Sequence, residues 1–322
     1  ITEREHEIES FDPEEFWTLS VNFQDEKKNL ITSSISQLDG KKIEKFSFKN
    51  KNEINDAMAS IKDKKFNITD ISSKIVSRNP SGPFTTSTLQ QVASSRLGFG
   101  ASRTMQIAQR LYQGIEIDGE TIGLITYMRT DGTNLSADAV SDFRDFIKDQ
   151  HGNEYLPEKP PNYSGKKAKN AQEAHEAIRP TDISRSPDSV KKYLSTDQQK
   201  LYNLIWGRAL SSQMETAKFD RNTITITTED GGTICKSSGS VLKFDGFLKV
   251  FPNQNKDEDE AILPEMSKGP INIESLIDEQ HFTQPRPRYS EASLVKKLEE
   301  LGIGRPSTYA SIISTIANRG YA

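Results

Sequence analysis

At 322 residues the chain is long enough for two domains, or three small ones, at roughly 150 residues each. It carries 42 basic and 46 acidic residues, a formal charge of −4, and its 34% hydrophobic content suits small domains with much exposed surface better than one large globule. No apolar run approaches the ~18 residues of a membrane-crossing helix, the 19 Gly and 14 Pro exclude collagen-like and low-complexity chains, and the single Cys235 excludes an internal disulfide and a thiolate metal cage.

The chain opens on Ile1-Thr2-Glu3-Arg4-Glu5, without the basic and apolar regions of a signal peptide, and reads as the internal start of a longer polypeptide. Trp17, Leu19, Val21 and Phe23 alternate and predict a strand, and Lys45-Phe46-Ser47-Phe48 is expected to continue that style. From Ser87 the period becomes helical, with Leu89, Val92, Ala93 and Leu97 before Gly98. A second helix is predicted after Ser102, with Met105, Ala108, Leu111 and Tyr112 inside and Gly114 as its stop. Ser136 caps a third, with Val140, Phe143 and Ile147 on one face, and Thr196-Asp197-Gln198-Gln199 has capping-box spacing before Leu201 and Leu204. Strands return over 219–250, where Thr223–Thr227 alternates and Gly231-Gly232 marks a turn. The acidic run Asp257–Glu260 reads as a solvated loop. Ser290 and Ser307 are expected to cap two short helices joined through Gly302-Ile303-Gly304-Arg305-Pro306. The simplest organisation is a β-rich domain left at about residue 86 and re-entered at about 216, with a mostly helical domain inserted.

Three segments could carry chemistry. In Gly123–Ser136 a short apolar run leads to Tyr127 at a strand end beside a polar turn, and Arg129 falls on the same face if the backbone stays extended. A phenol beside a guanidinium suits attack on a phosphodiester, because Arg grips phosphate oxygens in bidentate fashion and stabilises the charge that grows at phosphorus. A packed strand-end Tyr and an Arg in a surface ion pair are the alternative. In Gln172–Thr181, His175 and Arg179 are four apart and share a face if helical, a pair able to hold a phosphate or simply a solvated helix end. In Gly304–Tyr309, Arg305 precedes Ser307 and Thr308 at a helix start, where N–H groups and hydroxyls face an anion or form a plain cap. The stretch 85–115 holds Arg96, Arg103 and Arg110 and no Asp or Glu, a surface suited to a polyanion. His6, His151, His175 and His281 show no zinc-ligand spacing.

Together these segments resemble the type IA DNA topoisomerases, the family of bacterial DNA topoisomerase I. The resemblance runs through Pro83-Phe84-Thr85-Thr86-Ser87-Thr88-Leu89-Gln90-Gln91, Met105–Tyr112, Leu124-Ile125-Thr126-Tyr127-Met128-Arg129-Thr130-Asp131, Ala171–Pro180 and Gly302–Ala310, in the family order over nearly the whole chain. Gly132 stands where many members carry Ser. The resemblance implies a multidomain α+β fold: a β-rich hinge domain (16–86 and 216–284), an inserted helical domain bearing the tyrosine (87–215), and parts of a helical DNA-binding domain at 1–15 and 285–322. It implies that Tyr127 attacks one DNA strand, forms a 5′-phosphotyrosine link, lets the other strand pass and reseals without ATP, relaxing negative supercoils. Arg129 would orient the phosphate. His175, Arg179, Asp131, Arg305, Ser307 and Thr308 would meet the strand, with Arg96, Arg103 and Arg110 on the basic surface. The family's magnesium is expected in a separate Toprim domain that the chain does not contain, so this piece is expected to bind no metal and to be incomplete for relaxation. The implied partner is single-stranded and negatively supercoiled DNA, and a cytoplasmic monomer with no membrane association is expected. Two rivals remain: a tyrosine recombinase or type IB enzyme, disfavoured because Tyr127 precedes His175, and a non-catalytic nucleic-acid-binding module.

Overall fold

The computed structural model describes residues 1–163, 176–252 and 262–321. The predicted acidic run 257–260 and His175, with the preceding part of its segment, lie outside the described residues.

Alternating apolar residues build an antiparallel sheet from strands β1 (Glu15–Gln24), β2 (Leu30–Leu38), β3 (Lys41–Lys42), β4 (Phe66–Arg78), β7 (Ala217–Thr228), β8 (Ile234–Phe244) and β9 (Gly269–Phe282). Their order is β1-β9-β4-β7-β8-β2-β3, and β1 also pairs with β2. That extra pairing closes six strands into a barrel, with β3 hanging from β2. Leu19, Val21 and Phe23 of β1, Ile31 and Ile35 of β2, and Ile224 and Ile226 of β7 point inward. Helix α2 (Lys51–Ile61) adds Ile54, Ala57 and Ile61 to this core, and its N-cap Asn50 accepts from the Asn52 and Glu53 N–H groups. Lys45–Phe48, predicted as strand, forms turn and irregular backbone instead. Phe46 and Phe48 sit there as side-chain anchors, Phe48 buried and Phe46 edge-on to Phe16, so the apolar pattern reports docking and not pairing.

Past Ile68 the side chains of β4 are mostly exposed, and the strand runs on to Arg78, whose register partner in β7 is Ala217. The chain therefore leaves the barrel and returns at neighbouring positions. Between them lie helices α3 (Thr86–Leu97), α4 (Ala101–Gln113), α5 (Ala137–His151), α6 (Pro187–Val190) and α7 (Thr196–Ser211), with a small hairpin of β5 (Ile115–Ile117) and β6 (Glu120–Ile122) after α4. Leu89, Leu111, Leu124, Met128, Leu201, Tyr202 and Ile205 are among the residues of their common core. Thr85 caps α3 in a capping box with Thr88, and Gly98, at φ 67°, ends it. The cap of α7 is Ser195, paired with Gln198, one residue earlier than predicted.

The terminal helices meet in space. Arg4 of α1 (Thr2–Glu9) donates to the Pro287 carbonyl at 2.7 Å and covers the Tyr289 ring. Beyond it, α8 (Glu291–Glu300) and α9 (Tyr309–Asn318) lie against α3 and α4. This seam has an apolar centre of Ala101, Val295, Leu298, Tyr309 and Ile313. Around it the Ser87 hydroxyl donates to Glu299 at 2.6 Å, and the Ala101 N–H donates to Glu291 at 2.7 Å. Among the described residues no helix is long and apolar enough to cross a membrane.

Candidate active site

The segment 124–130 passes between two partners that hold its backbone on both edges. On one side Thr126 N–H donates to the Arg179 carbonyl at 2.9 Å, Thr181 N–H donates to the Leu124 carbonyl at 3.0 Å, and the Thr126 hydroxyl donates to the Ala177 carbonyl at 2.7 Å. On the other side Thr86, at the start of α3, exchanges backbone and hydroxyl bonds with the segment. Its N–H donates to the Thr130 carbonyl at 2.9 Å, its hydroxyl donates to the Met128 carbonyl at 2.7 Å, and that hydroxyl accepts from the Thr130 N–H at 2.8 Å.

Side chains then alternate across this fixed backbone. Leu124, Ile125 and Met128 are buried in the helical core and Thr130 is buried beside Thr86, while Tyr127 and Arg129 are exposed. Burying Met128 alone contributes about 1.5–3 kcal/mol, which locks the register that puts Tyr127 and Arg129 outside. Tyr127 is 48% exposed, with its ring edge-on to Tyr112 at 5.3 Å. Arg129 forms no hydrogen bond or ion pair with the described residues, so its guanidinium fork is available to an anion.

Residues 176–180 are extended, not helical: Ile178 bridges to Phe84, Pro180 to Ile125 and Glu176 to Asn134. Arg179 is therefore not on a helix, because residues 176–180 clamp the tyrosine segment, and His175 lies outside the described residues. Arg179 is turned inward, donating from Nε to Glu176 at 2.7 Å and from Nη1 to the Pro180 carbonyl at 2.8 Å. Burial alone pushes the Glu176 carboxyl up, but the Arg179 donors and the Ser136 N–H outweigh it and hold the acid ionised below the ordinary range. Glu176 thus ties the clamp to the N-cap of α5, since Ser136 N–H donates to it at 2.9 Å. Sequence reasoning missed Glu176 and Thr86. Glu176 stands three residues before Arg179, a visible ion-pair spacing, whereas nothing local marks Thr86 as a partner for residues more than forty positions away.

The three arginines of 85–115 do not form one stripe. Arg96 is half-buried with its guanidinium 4.1 Å from the centre of the Phe251 ring, and burial lowers its pKa. Arg103 is exposed but paired with Asp197. Arg110 is exposed and pairs with no described residue. Beside Arg96, Arg208 is held down to about 10 by desolvation and by the neighbouring charge, and its Nε donates to the Gly82 carbonyl.

At the C-terminal pair, Thr308 and not Ser307 directly precedes α9. The entry turn starts earlier: the Arg305 carbonyl accepts from the Thr308 and Tyr309 N–H groups, and the Thr308 hydroxyl accepts from the Arg305 N–H at 2.8 Å. Pro306 follows Arg305 where a helical turn needs no N–H donor. Arg305 and Ser307 are exposed, as is Asp131. Burial chiefly pushes the Tyr309 phenol up, with the charge of Glu299 adding to it and that of Arg305 opposing it. Among the described residues no group of three or more His, Cys, Asp or Glu could hold a metal ion.

The sequence model of the DNA topoisomerase family matches residues 1–322. DNA topoisomerase 1 of Rickettsia felis is 48% identical over all of this chain and 42% of its own length, and that of Haemophilus influenzae is 45% identical over all of this chain and 35% of its own. The chain thus spans less than half the length of these curated relatives. Among solved structures, full-length topoisomerase I from Thermotoga maritima superimposes with a TM-score of 0.79 at 36% identity, covering 99% of this chain and 49% of that one. With its barrel, its inserted helices and an outward tyrosine on a clamped segment, the chain belongs to the DNA topoisomerase family of type IA.

Proposed function

We propose that Tyr127 is the nucleophile of a type IA strand-cleavage reaction and that Arg129 holds the phosphate it attacks. The observation that carries this reading is the alternation at 127–130: a phenol and a guanidinium with no partner among the described residues face outward from a backbone bound on both edges. The phenolic oxygen forms a bond to phosphorus, the bond from phosphorus to the 3′ oxygen breaks, and the phenol's proton goes to solvent or a base while the leaving oxygen gains one. The 5′ phosphate stays on Tyr127, so the reverse attack by the 3′ hydroxyl reseals the strand without ATP. Arg129 neutralises charge on the non-bridging oxygens in both directions. An ordinary phenol has a pKa of about 10, so activation requires groups beyond this pair.

In this reading the barrel is the hinge domain (16–86 and 216–284), and the helices of 87–215 carry the nucleophile away from the helical DNA-binding parts at 1–15 and 285–322. The strand lies along Asp131, Arg305, Ser307 and Arg110, with His175 beside it. The whole protein relaxes negatively supercoiled DNA as a cytoplasmic monomer in the bacterial nucleoid, using magnesium held outside this chain. The chain alone holds a single strand without completing relaxation. In the full-length protein, Tyr127→Phe should abolish covalent capture of a single-stranded oligonucleotide and leave its binding within about twofold, because the exposed ring keeps its contacts. Covalent adduct at the wild-type level in that variant would end the reading.

A further inference from the structure

Tyr112 stands on the last turn of α4, 41% exposed where the helix pattern predicts a core residue, while its neighbour Leu111 is fully buried. Its ring meets Tyr127 edge-on, with centroids 5.3 Å apart and planes at 63°. Neither phenol hydrogen-bonds to a described residue, so each ring is held by packing alone. The backbone is built to make this pair. Leu124 N–H donates to the Leu111 carbonyl at 2.8 Å, and a Cβ at Gly123 would lie 2.7 Å from the Tyr112 carbonyl oxygen. Only glycine lets the tyrosine segment pass this close to the helix end.

We propose that Tyr112 is a positioning residue for Tyr127, its ring holding the nucleophile's side chain in the one rotamer that aims the hydroxyl at the bound strand. The proposal rests on Tyr127 being the nucleophile. A half-exposed tyrosine otherwise samples several staggered wells, and an attacking oxygen must sit within about 3–3.5 Å of phosphorus. An edge-to-face pair favours one well by about two- to tenfold. Tyr112 itself touches no reacting atom.

The test is single-turnover cleavage of a 3′-labelled single-stranded oligonucleotide by the full-length protein, with the covalent adduct trapped by denaturant. Tyr112→Ala should slow adduct formation at saturating strand about two- to tenfold and leave the Kd for the strand unchanged. Tyr112→Phe, which keeps the ring, should restore the wild-type rate. A wild-type rate in Tyr112→Ala would overturn the proposal. So would a weakened Kd with an unchanged saturated rate, which would make the ring a stacking platform for a base. A Tyr112→Phe variant as slow as Tyr112→Ala would assign the effect to the hydroxyl and overturn it as well. Tyr127→Phe is run alongside: adduct there would remove the nucleophile reading and this one with it, whereas adduct lost there with Tyr112→Ala unchanged would remove only this one.

Discussion

Among the described residues Arg129, like Arg110, has no partner, whereas most arginines of the helical region do. Arg103 is spent on Asp197, Arg179 on Glu176, and Arg96 and Arg208 on Phe251 and backbone. An exposed guanidinium two residues from an exposed phenol is free to meet an anion there, and removing a transition-state donor of this kind slows chemistry about 10²- to 10³-fold. Arg129→Ala in the full-length protein should therefore reduce the rate of adduct formation by about that factor, and Arg129→Lys should recover only part of it, because an ammonium lacks the planar fork. An adduct rate within twofold of wild type for Arg129→Ala would return it to an ordinary surface arginine. The pair was legible in the sequence because strand alternation fixes which residues share a face. The inward turn of Arg179 was not, since a four-residue spacing was read on a helix and the backbone there is extended.

Caps and turns read well wherever their chemistry is local. Ser136 and Ser290 cap α5 and α8 as their spacing requires, and Gly231-Gly232 turns β7 into β8. The hairpin of β5 and β6 was missed although Asp118-Gly119, both with positive φ, is a strong two-residue turn signal. The start of α4 was not available locally: Gly100 has no capping side chain, and the missing acceptor is Glu291, supplied from α8. The clamp around Tyr127 is of the same kind, since Thr86 reaches it only through tertiary folding. Thr86→Val keeps shape but leaves the buried Thr130 N–H and Met128 carbonyl without their hydroxyl partner. That should destabilise the helical region by about 1–3 kcal/mol in urea unfolding, with faster amide exchange at Thr130. Unchanged stability and exchange would mean that core packing of Met128 alone fixes the segment.

At the scale of the whole chain, the seam between α3–α4 and α8–α9 joins the tyrosine-bearing helices to the C-terminal pair, with Ser87 bonded to Glu299 beside the Thr86 that holds Thr130. A strand lying there would meet Arg305 next to the N-terminal end of α9. Each phosphate neutralised on a single strand adds about 0.7 to the magnitude of the salt slope. Arg305→Ala should therefore weaken binding of labelled oligonucleotides of every sequence and lower the slope by about 0.7, since a phosphate contact reads no base. Equal affinity and slope in variant and wild type would reduce that turn to a helix cap. The most direct measurement is on the full-length protein: trap the covalent complex with a single-stranded oligonucleotide, digest it, and identify by mass spectrometry the peptide that carries nucleotide. The expected result is one modified peptide, with the 5′ phosphate of the cleaved strand on Tyr127 and a free 3′ hydroxyl on the other fragment. Nucleotide on a different residue, or a link to the 3′ phosphate, would contradict it.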